Sequence, residues 1–184
     1  MPTTRFVVTG GPGSGKSTLL AALEARGFAV AEEAGRAIIR EQVAAGGNAL
    51  PWADREAFAQ EMLARDIASY VRFADARSPV FFDRGVPDIA GYLTLCGLDV
   101  PVNVSAAISE CRYADPVFIA PFWREIYAQD KERKQDPHEA ERTYLTMKRV
   151  YSELGYTLLE LPRENVDGRV EFVLSALRSS PRPC

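Results

Sequence analysis

The chain is poor in the residues that build metal sites and disulfide frameworks. One histidine, His138, leaves no second imidazole for a zinc site or proton relay, and its neighbours Asp136, Pro137 and Glu139 read as a helix start. The three cysteines, Cys96, Cys111 and Cys184, form no CxxC pair, which argues against a thiolate metal site and suits a reducing compartment. No apolar run approaches the roughly 18 residues of a spanning helix, and MPTTRFVVTG holds too short an apolar stretch for a signal peptide. The ending RSSPRPC carries no prenylation signal. These absences predict a cytoplasmic protein with no membrane span. Basic charge is not in excess either: 22 Lys and Arg stand against 25 Asp and Glu, a net charge of −3. A general nucleic-acid binder would carry a basic stripe, so no nucleic-acid partner is expected and any phosphate binding has to be local.

What is present is the composition of an ordinary globular domain, 184 residues with 47% hydrophobic and 26% charged. A chain of this size buries roughly 70% of its unfolded surface and needs no disulfide or metal to form a core. The sequence predicts a single domain over 1–178 and a flexible polar tail at 179–184.

Short β-branched or aromatic runs occur at Arg5–Thr9, Phe28–Ala31, Pro79–Phe82, Pro116–Ala120 and Thr157–Leu161, and helical segments separate them. KSTLLAALEARG follows the first run. Glu33 to Ala45 is helical until GGN at 46–48 stops it. Asp54 to Ala76 places Phe58, Met62, Leu63, Ile67, Tyr70 and Ala74 at helical spacing. Asp136, Pro137 and Glu139 open a helix whose stripe is Ala140, Tyr144, Met147, Tyr151 and Leu154, ending at Gly155. Asn165 can cap a last helix that buries Val170, Val173, Leu174 and Leu177. Strands that alternate with helices predict an α/β fold of three layers around a five-stranded parallel sheet.

Gly10, Gly11, Pro12, Gly13, Ser14, Gly15, Lys16 and Ser17 match G-x-x-x-x-G-K-[ST], directly after a strand and directly before a helix. The glycines let successive backbone N–H groups face one point, and the helix adds its unpaired N–H groups and positive dipole end. Lys16 is expected to bridge the β- and γ-phosphates of ATP, and Ser17, followed by Thr18, to hold Mg²⁺ on the same oxygens. Asp83 ends a strand of bulky apolar residues, which suits a carboxylate directed at Mg²⁺ or its water; the bland alternative is a cap for the next helix. Arg84 follows at once, and Gly85, Pro87 and Asp88 complete DRGVPD, a turn into that helix.

GGPGSGKST, AEEAGR, LPWADREAFAQ, FFDRGVPDIAGYL, WREIYAQDKERKQD and GYTLLELPRENVDGRVEFVL together resemble the AAA-type ATPase domain family that includes NadR-type nicotinamide-riboside kinases. The layout is also similar to that of deoxynucleoside and thymidylate kinases. This resemblance implies a P-loop nucleoside-kinase-like fold with strand order 2-3-1-4-5. It also implies a helical lid over about 122–137, with Arg133, three residues after Asp130, stabilising the transferring phosphoryl; Arg124, Lys131 and Lys134 share the arm. A solvated charged helix is the other reading of that segment.

In the resembled kinases a Glu at the end of the second strand acts as base toward the acceptor hydroxyl, so Glu33 or Glu32 is a candidate. A solvated acidic pair favoured by the helix dipole explains the two as well. Arg36 and Arg40, one turn apart, suit an acidic substrate or simply an exposed helix face. Arg163 after the last strand is a candidate for the nucleotide base. Trp52, Asp54 and Phe58 are expected to serve packing and helix entry.

Two functions compete. One is an ATP phosphotransferase acting on a nucleoside-like small molecule; the other is a regulatory NTPase switch working through a partner or lipid, since the resembled family includes members that bind GTP and phospholipid. No N-K-x-D guanine motif occurs, and no second acidic residue follows Asp83 as a DNA motor would require. The residues leave open the acceptor, the choice of ATP over GTP and the oligomeric state.

Overall fold

The structure, a computed structural model, describes residues 4–125 and 137–179. Five strands form one parallel sheet: β1 (Arg5–Gly10), β2 (Ala29–Ala31), β3 (Val80–Asp83), β4 (Val117–Ala120) and β5 (Leu158–Glu160), in the order β2-β3-β1-β4-β5. The described helices are α1 (Lys16–Ala25), α2 (Ala34–Ala45), α3 (Arg55–Arg72), α4 (Val86–Leu95), α5 (Val102–Glu110), α6 (Pro137–Glu153) and α7 (Val166–Ser179).

The central strands are apolar on both faces because helices cover both. Phe6 and Val8 of β1, Phe81 of β3 and Phe118 of β4 join Leu19, Leu23, Val170 and Val173 in the layer of α1 and α7. Val7, Val80, Phe82 and Val117 point the other way, into a core with Leu63, Ile89, Leu93, Val104 and Tyr151 from α3 to α6. This alternation is the period-two geometry of a strand buried on both sides. Phe81 is fully buried and stacks 5.8 Å from Phe6, so Phe81→Ala should cost about 3–5 kcal/mol.

Local signals set the ends. Asp54 caps α3 by accepting from Ala57 N at 2.9 Å, and Asn165 caps α7 by accepting from Gly168 N at 2.9 Å. Gly46 closes α2 in the left-handed conformation. The sequence runs α3 on to Ala76, but it stops at Arg72, where Phe73 turns to pack edge-on against Phe82 at 5.9 Å. Periodicity assigns nothing to 102–110, yet α5 forms there behind Pro101 and buries Val104, Ala107 and Ile108. Of the expected tail, residues 180–184 lie outside the described residues, as do 126–136 of the expected lid.

Because the strands are parallel, Gly10, Ala31, Asp83 and Ala120 all end at one edge, and β1 pairs β3 so that Val8 stands opposite Asp83. Ligands in open α/β sheets bind outside this edge.

Candidate active site

The loop from Gly10 to Gly15 turns β1 into α1, and its start is set by close packing. A Cβ on Gly11 would lie 2.3 Å from the Ala140 carbonyl oxygen, so any larger residue would push α6 off the loop. Gly15, at φ 80°, is the left-handed residue that starts α1 at Lys16. Lys16 Nζ donates to the Gly11 carbonyl at 2.7 Å, the Gly10 carbonyl at 3.2 Å and Ser14 Oγ at 3.3 Å. Burial, and then the nearby Arg84 cation, push this ammonium down to about 8, against the pull of Asp83, Glu33 and Asp88. Ser14 donates from Oγ to the Gly11 carbonyl at 2.7 Å, tying the loop to itself. Ser17 and Thr18 present exposed hydroxyls to the cleft above. Gly10 and Gly11 lie beneath that surface, while Pro12 to Thr18 line it.

A second cluster faces Lys16 from the end of β3. Arg84 has φ 71°, a left-handed backbone that costs a non-glycine residue roughly 1–3 kcal/mol unless its surroundings hold it. They do: Nη1 donates to Asp88 Oδ1 at 3.0 Å, and Nε lies 3.4 Å from Glu33 Oε1. Burial disfavours the guanidinium charge, but Asp88, Glu33 and Asp83 outweigh it and raise its pKa above the ordinary arginine value. Asp88 also accepts from Thr9 Oγ1 at 2.6 Å, Gly85 N at 3.0 Å and Tyr151 Oη at 2.7 Å. Thus α4, β1 and α6 converge on one carboxylate, whose consequence is the aim of Arg84. Glu33, the N-cap residue of α2, additionally pairs with Arg36 Nε at 3.0 Å.

Asp83 itself has one buried carboxylate oxygen, Oδ1, without a hydrogen-bond partner among the described residues. Burial, partly offset by Lys16, raises its pKa above the usual carboxylate range. Such an orphaned buried oxygen is the kind of group a cation or its water would satisfy.

Beyond Arg84 the cleft continues between α2, α3 and α4, lined by Ile39, Phe58, Met62 and Tyr92 with Trp52 at 65% exposure. Phe58 meets Tyr92 edge-on at 5.5 Å. On the opposite side, behind the P-loop, Trp123 and Asn165 border it together with Arg169. The Arg169 guanidinium donates to the Ser14 carbonyl at 2.8 Å and the Pro162 carbonyl at 2.9 Å, and its Cζ lies 5.2 Å from the Trp123 ring centroid. The cleft encloses about 1860 Å³, more than the roughly 300–1,000 Å³ of a site for one ligand.

The structure therefore gathers Lys16, Ser17, Glu33, Asp83 and Arg84 at the edge of the sheet; Asp83 lies beneath the cleft surface, whereas the other four line it together with Arg36 and Arg40. It separates the two glutamates: Glu32 is exposed and does not line the cleft. Arg163 does not line it either; it is exposed and donates to the Phe122 carbonyl at 3.3 Å, while Arg169, six residues later in α7, donates to the P-loop. Trp52 is not a packing residue, as its exposure shows, whereas Phe58 is buried at 4% and Asp54 is the α3 cap. Arg133, Lys131 and Lys134 lie outside the described residues; Arg124 is exposed and is not part of the lining.

Sequence reasoning passes over Asp66, Asp88, Tyr92 and Arg169. For Asp66 a signal exists: it stands four residues after Met62 and four before Tyr70, a charged residue on the apolar stripe of α3. For Asp88 only its place in the first turn of α4 hints at a backbone cap.

The fold has known counterparts. NadR in complex with NR superimposes with a TM-score of 0.71 at 17% identity, covering 99% of this chain and 52% of that one, so this chain spans about half the length of NadR. Thymidylate kinase from Candida albicans gives 0.66 at 12% identity, with 97% and 92% covered. Deoxyadenosine kinase from M. mycoides, with dCMP and dCDP bound, gives 0.62 at 14%, with 96% and 100% covered. No curated protein matches the chain by sequence. The sequence model of the AAA domain matches residues 5–169, most of the chain and all of the P-loop and Arg84 cluster, and the chain therefore belongs to that AAA domain family.

Proposed function

We propose that the chain is an ATP-dependent phosphotransferase that moves the γ-phosphoryl of ATP to a nucleoside-like small molecule. The observation that carries this reading is the continuity of one cleft, which runs from the P-loop past Arg84 into an aromatic-walled chamber. A nucleotide switch needs the first half only. The kinase neighbours, one with NR and one with dCMP and dCDP bound, support a nucleoside-like acceptor for the second.

Each residue then has a task. The backbone N–H groups of the P-loop and the start of α1 cradle the phosphates, and Lys16 exchanges its loop carbonyls for phosphate oxygens. Ser17 and Asp83 fit a Mg²⁺ ion: one offers a free-facing hydroxyl and the other an unpartnered buried oxygen. Mg²⁺ would neutralise phosphate charge there. Among the described residues no three His, Cys, Asp or Glu gather as a self-sufficient metal site, so phosphate oxygens would complete the shell. Arg84, held by Asp88 and Glu33, lies at the meeting point of donor and acceptor, where charge spreads over the phosphoryl oxygens in the transition state. Glu33 is the carboxylate best placed to orient the acceptor hydroxyl. Trp123 and Arg169 border the place for the donor base, the task expected of Arg163.

Thermal denaturation with Mg-ATP tests the donor half. A ligand at 100 times its Kd stabilises by about 2.7 kcal/mol, which raises Tm by several degrees. Lys16→Ala should abolish that rise. No shift with any purine triphosphate would remove the basis of the reading.

A further inference from the structure

In the chamber beyond Arg84 one carboxylate has no partner among the described residues, and one buried hydroxyl has only a thiol beside it. Asp66, on α3, lines the cleft in one row with Phe58 and Met62, and its carboxylate makes no hydrogen bond or ion pair among the described residues. Tyr92 lines the same chamber from α4, and the group set beside its buried hydroxyl is the Cys96 thiol, a weak acceptor that makes no hydrogen bond of good geometry with it. Of the carboxylates around Arg84, Asp88 is engaged by four donors and Glu33 by Arg84 and Arg36, while Asp83, on the Lys16 side, keeps the one unpartnered oxygen already described.

A carboxylate left alone beside two others is unfavourable to folding, since burial and like charge both oppose its ionisation. The groups that face Asp66 are Asp88 of α4, Glu33 at the start of α2, Arg84, and, behind it, Tyr113 and Cys111 after α5. Burial, then Asp88 and Glu33, push its carboxyl up to about 7, with Arg84 opposing. No packing role needs the charge, because Met62 and Tyr70 flank the same stripe with uncharged side chains.

We propose that Asp66 is a specificity-determining residue of the acceptor chamber, a carboxylate kept unpartnered so that it accepts hydrogen bonds from the hydroxyl or amino groups of a ribosylated heterocycle. The ring of that ligand lies against Phe58, Met62 and Tyr92. The Tyr92 hydroxyl supplies the complementary donor, since an ionised carboxylate can only accept. The inference rests on the proposed division of the cleft into donor and acceptor halves, and it makes that division specific.

Asp66→Asn has a consequence that a structural role would reverse. Removing the unpartnered charge should raise the Tm of the ligand-free protein by about 2–4 °C. The sign with pH follows from a raised carboxyl pKa. The folded state holds the proton more tightly than the unfolded chain between about pH 4 and 7, so the ionised group detracts from stability increasingly as pH rises through that window and fully above it. The gain from Asp66→Asn should therefore be larger at pH 8 than at pH 5.

Binding is read by calorimetry on the protein loaded with Mg-AMP-PNP, using adenosine, cytidine and nicotinamide riboside as probes. The wild type should bind at least one of them, more tightly at pH 8 than at pH 6. Asp66→Asn should weaken that probe about tenfold or more and flatten the pH dependence, while AMP-PNP affinity stays within twofold. The 2′,3′-dideoxy form of the probe and a form lacking its exocyclic amino group show which donor Asp66 takes, by which of them loses sensitivity to Asp66→Asn. A ligand-free Tm that falls in Asp66→Asn, or probe affinity unchanged by it, overturns the proposal. Wild-type protein that binds AMP-PNP but no probe also overturns it, leaving the nucleotide site standing. Protein that binds no AMP-PNP overturns the functional reading beneath it.

Discussion

Asp88 accepts a 3.0 Å hydrogen bond from Nη1 of Arg84, one helical turn away, while the backbone of Arg84 sits at φ 71°. The carboxylate thereby fixes a cation on a backbone that would not choose that conformation by itself. A buried pair of this kind adds little net stability over an apolar pair, and its worth lies in orientation.

Asp88→Asn should expose that dependence. Breaking a buried ion pair from one side leaves a desolvated charge and costs about 3 kcal/mol or more. Thr9, Gly85 and Tyr151 lose an anionic acceptor as well. Urea unfolding should show a lower midpoint with an unchanged slope. A change below about 0.5 kcal/mol, the size of a surface substitution, would mean that Asp88 holds nothing together.

Asp83→Asn should behave differently, because its orphaned oxygen bonds no described residue of the fold and, in the proposed function, is left for Mg²⁺. Nucleotide affinity should stay within a few-fold while turnover drops about 100-fold or more. Arg84→Ala should instead chiefly impair use of the acceptor. Wild-type turnover in Asp83→Asn would make Asp83 a strand-end residue without chemistry and turn attention to Glu33.

The buried Lys16 ammonium should make the proposed nucleotide binding sensitive to alkaline pH. With its pKa near 8 in the empty loop, the folded state penalises the charged form below about pH 8, and that penalty fades as pH rises toward the unfolded value near 10.4. Phosphates raise the pKa again. Binding at pH 8.5 should take up protons, seen by calorimetry in buffers of different ionisation enthalpy, and affinity should fall as pH rises further. Uptake that persists in Lys16→Ala would assign the proton to another group.

Trp52 and Phe58 separate cleft from core. Trp52, 65% exposed, should tolerate replacement by Ala within about 0.5 kcal/mol of stability yet raise the acceptor KM several-fold. Phe58→Ala, at a buried position packed on Tyr92, should cost about 3–5 kcal/mol. Equal stability losses in the two variants would contradict the assignment of Trp52 to the chamber wall.

What could be read in the sequence was local. The P-loop is a contiguous pattern whose strand and helix flanks lie within ten residues, and the apolar runs of β1, β3 and β4 carry their burial in their own composition. Asp88 could not be read in the same way, since its partners Thr9 and Tyr151 lie 79 and 63 residues away. Arg163 and Arg169 stand six residues apart after the same strand, and only the start of α7, capped by Asn165, decides which of them reaches the P-loop. Trp52 looks like helix-entry packing from its neighbours, but the exposure of a ring depends on what the fold leaves uncovered. Asp66 is the instructive case: a charge at a core-spaced helical position was visible, and its meaning required knowing that α3 faces a cleft there.

The most direct test of the account follows the phosphorus atom. ATP labelled at the γ-phosphate is incubated with the protein, Mg²⁺ and the nucleoside probes, and the products are separated. The account predicts label on an acceptor, with transfer lost in Lys16→Ala and strongly reduced in Arg84→Ala. Label appearing only as inorganic phosphate, at a rate no acceptor changes and Arg84→Ala leaves untouched, would contradict it and make the chain a nucleotide switch.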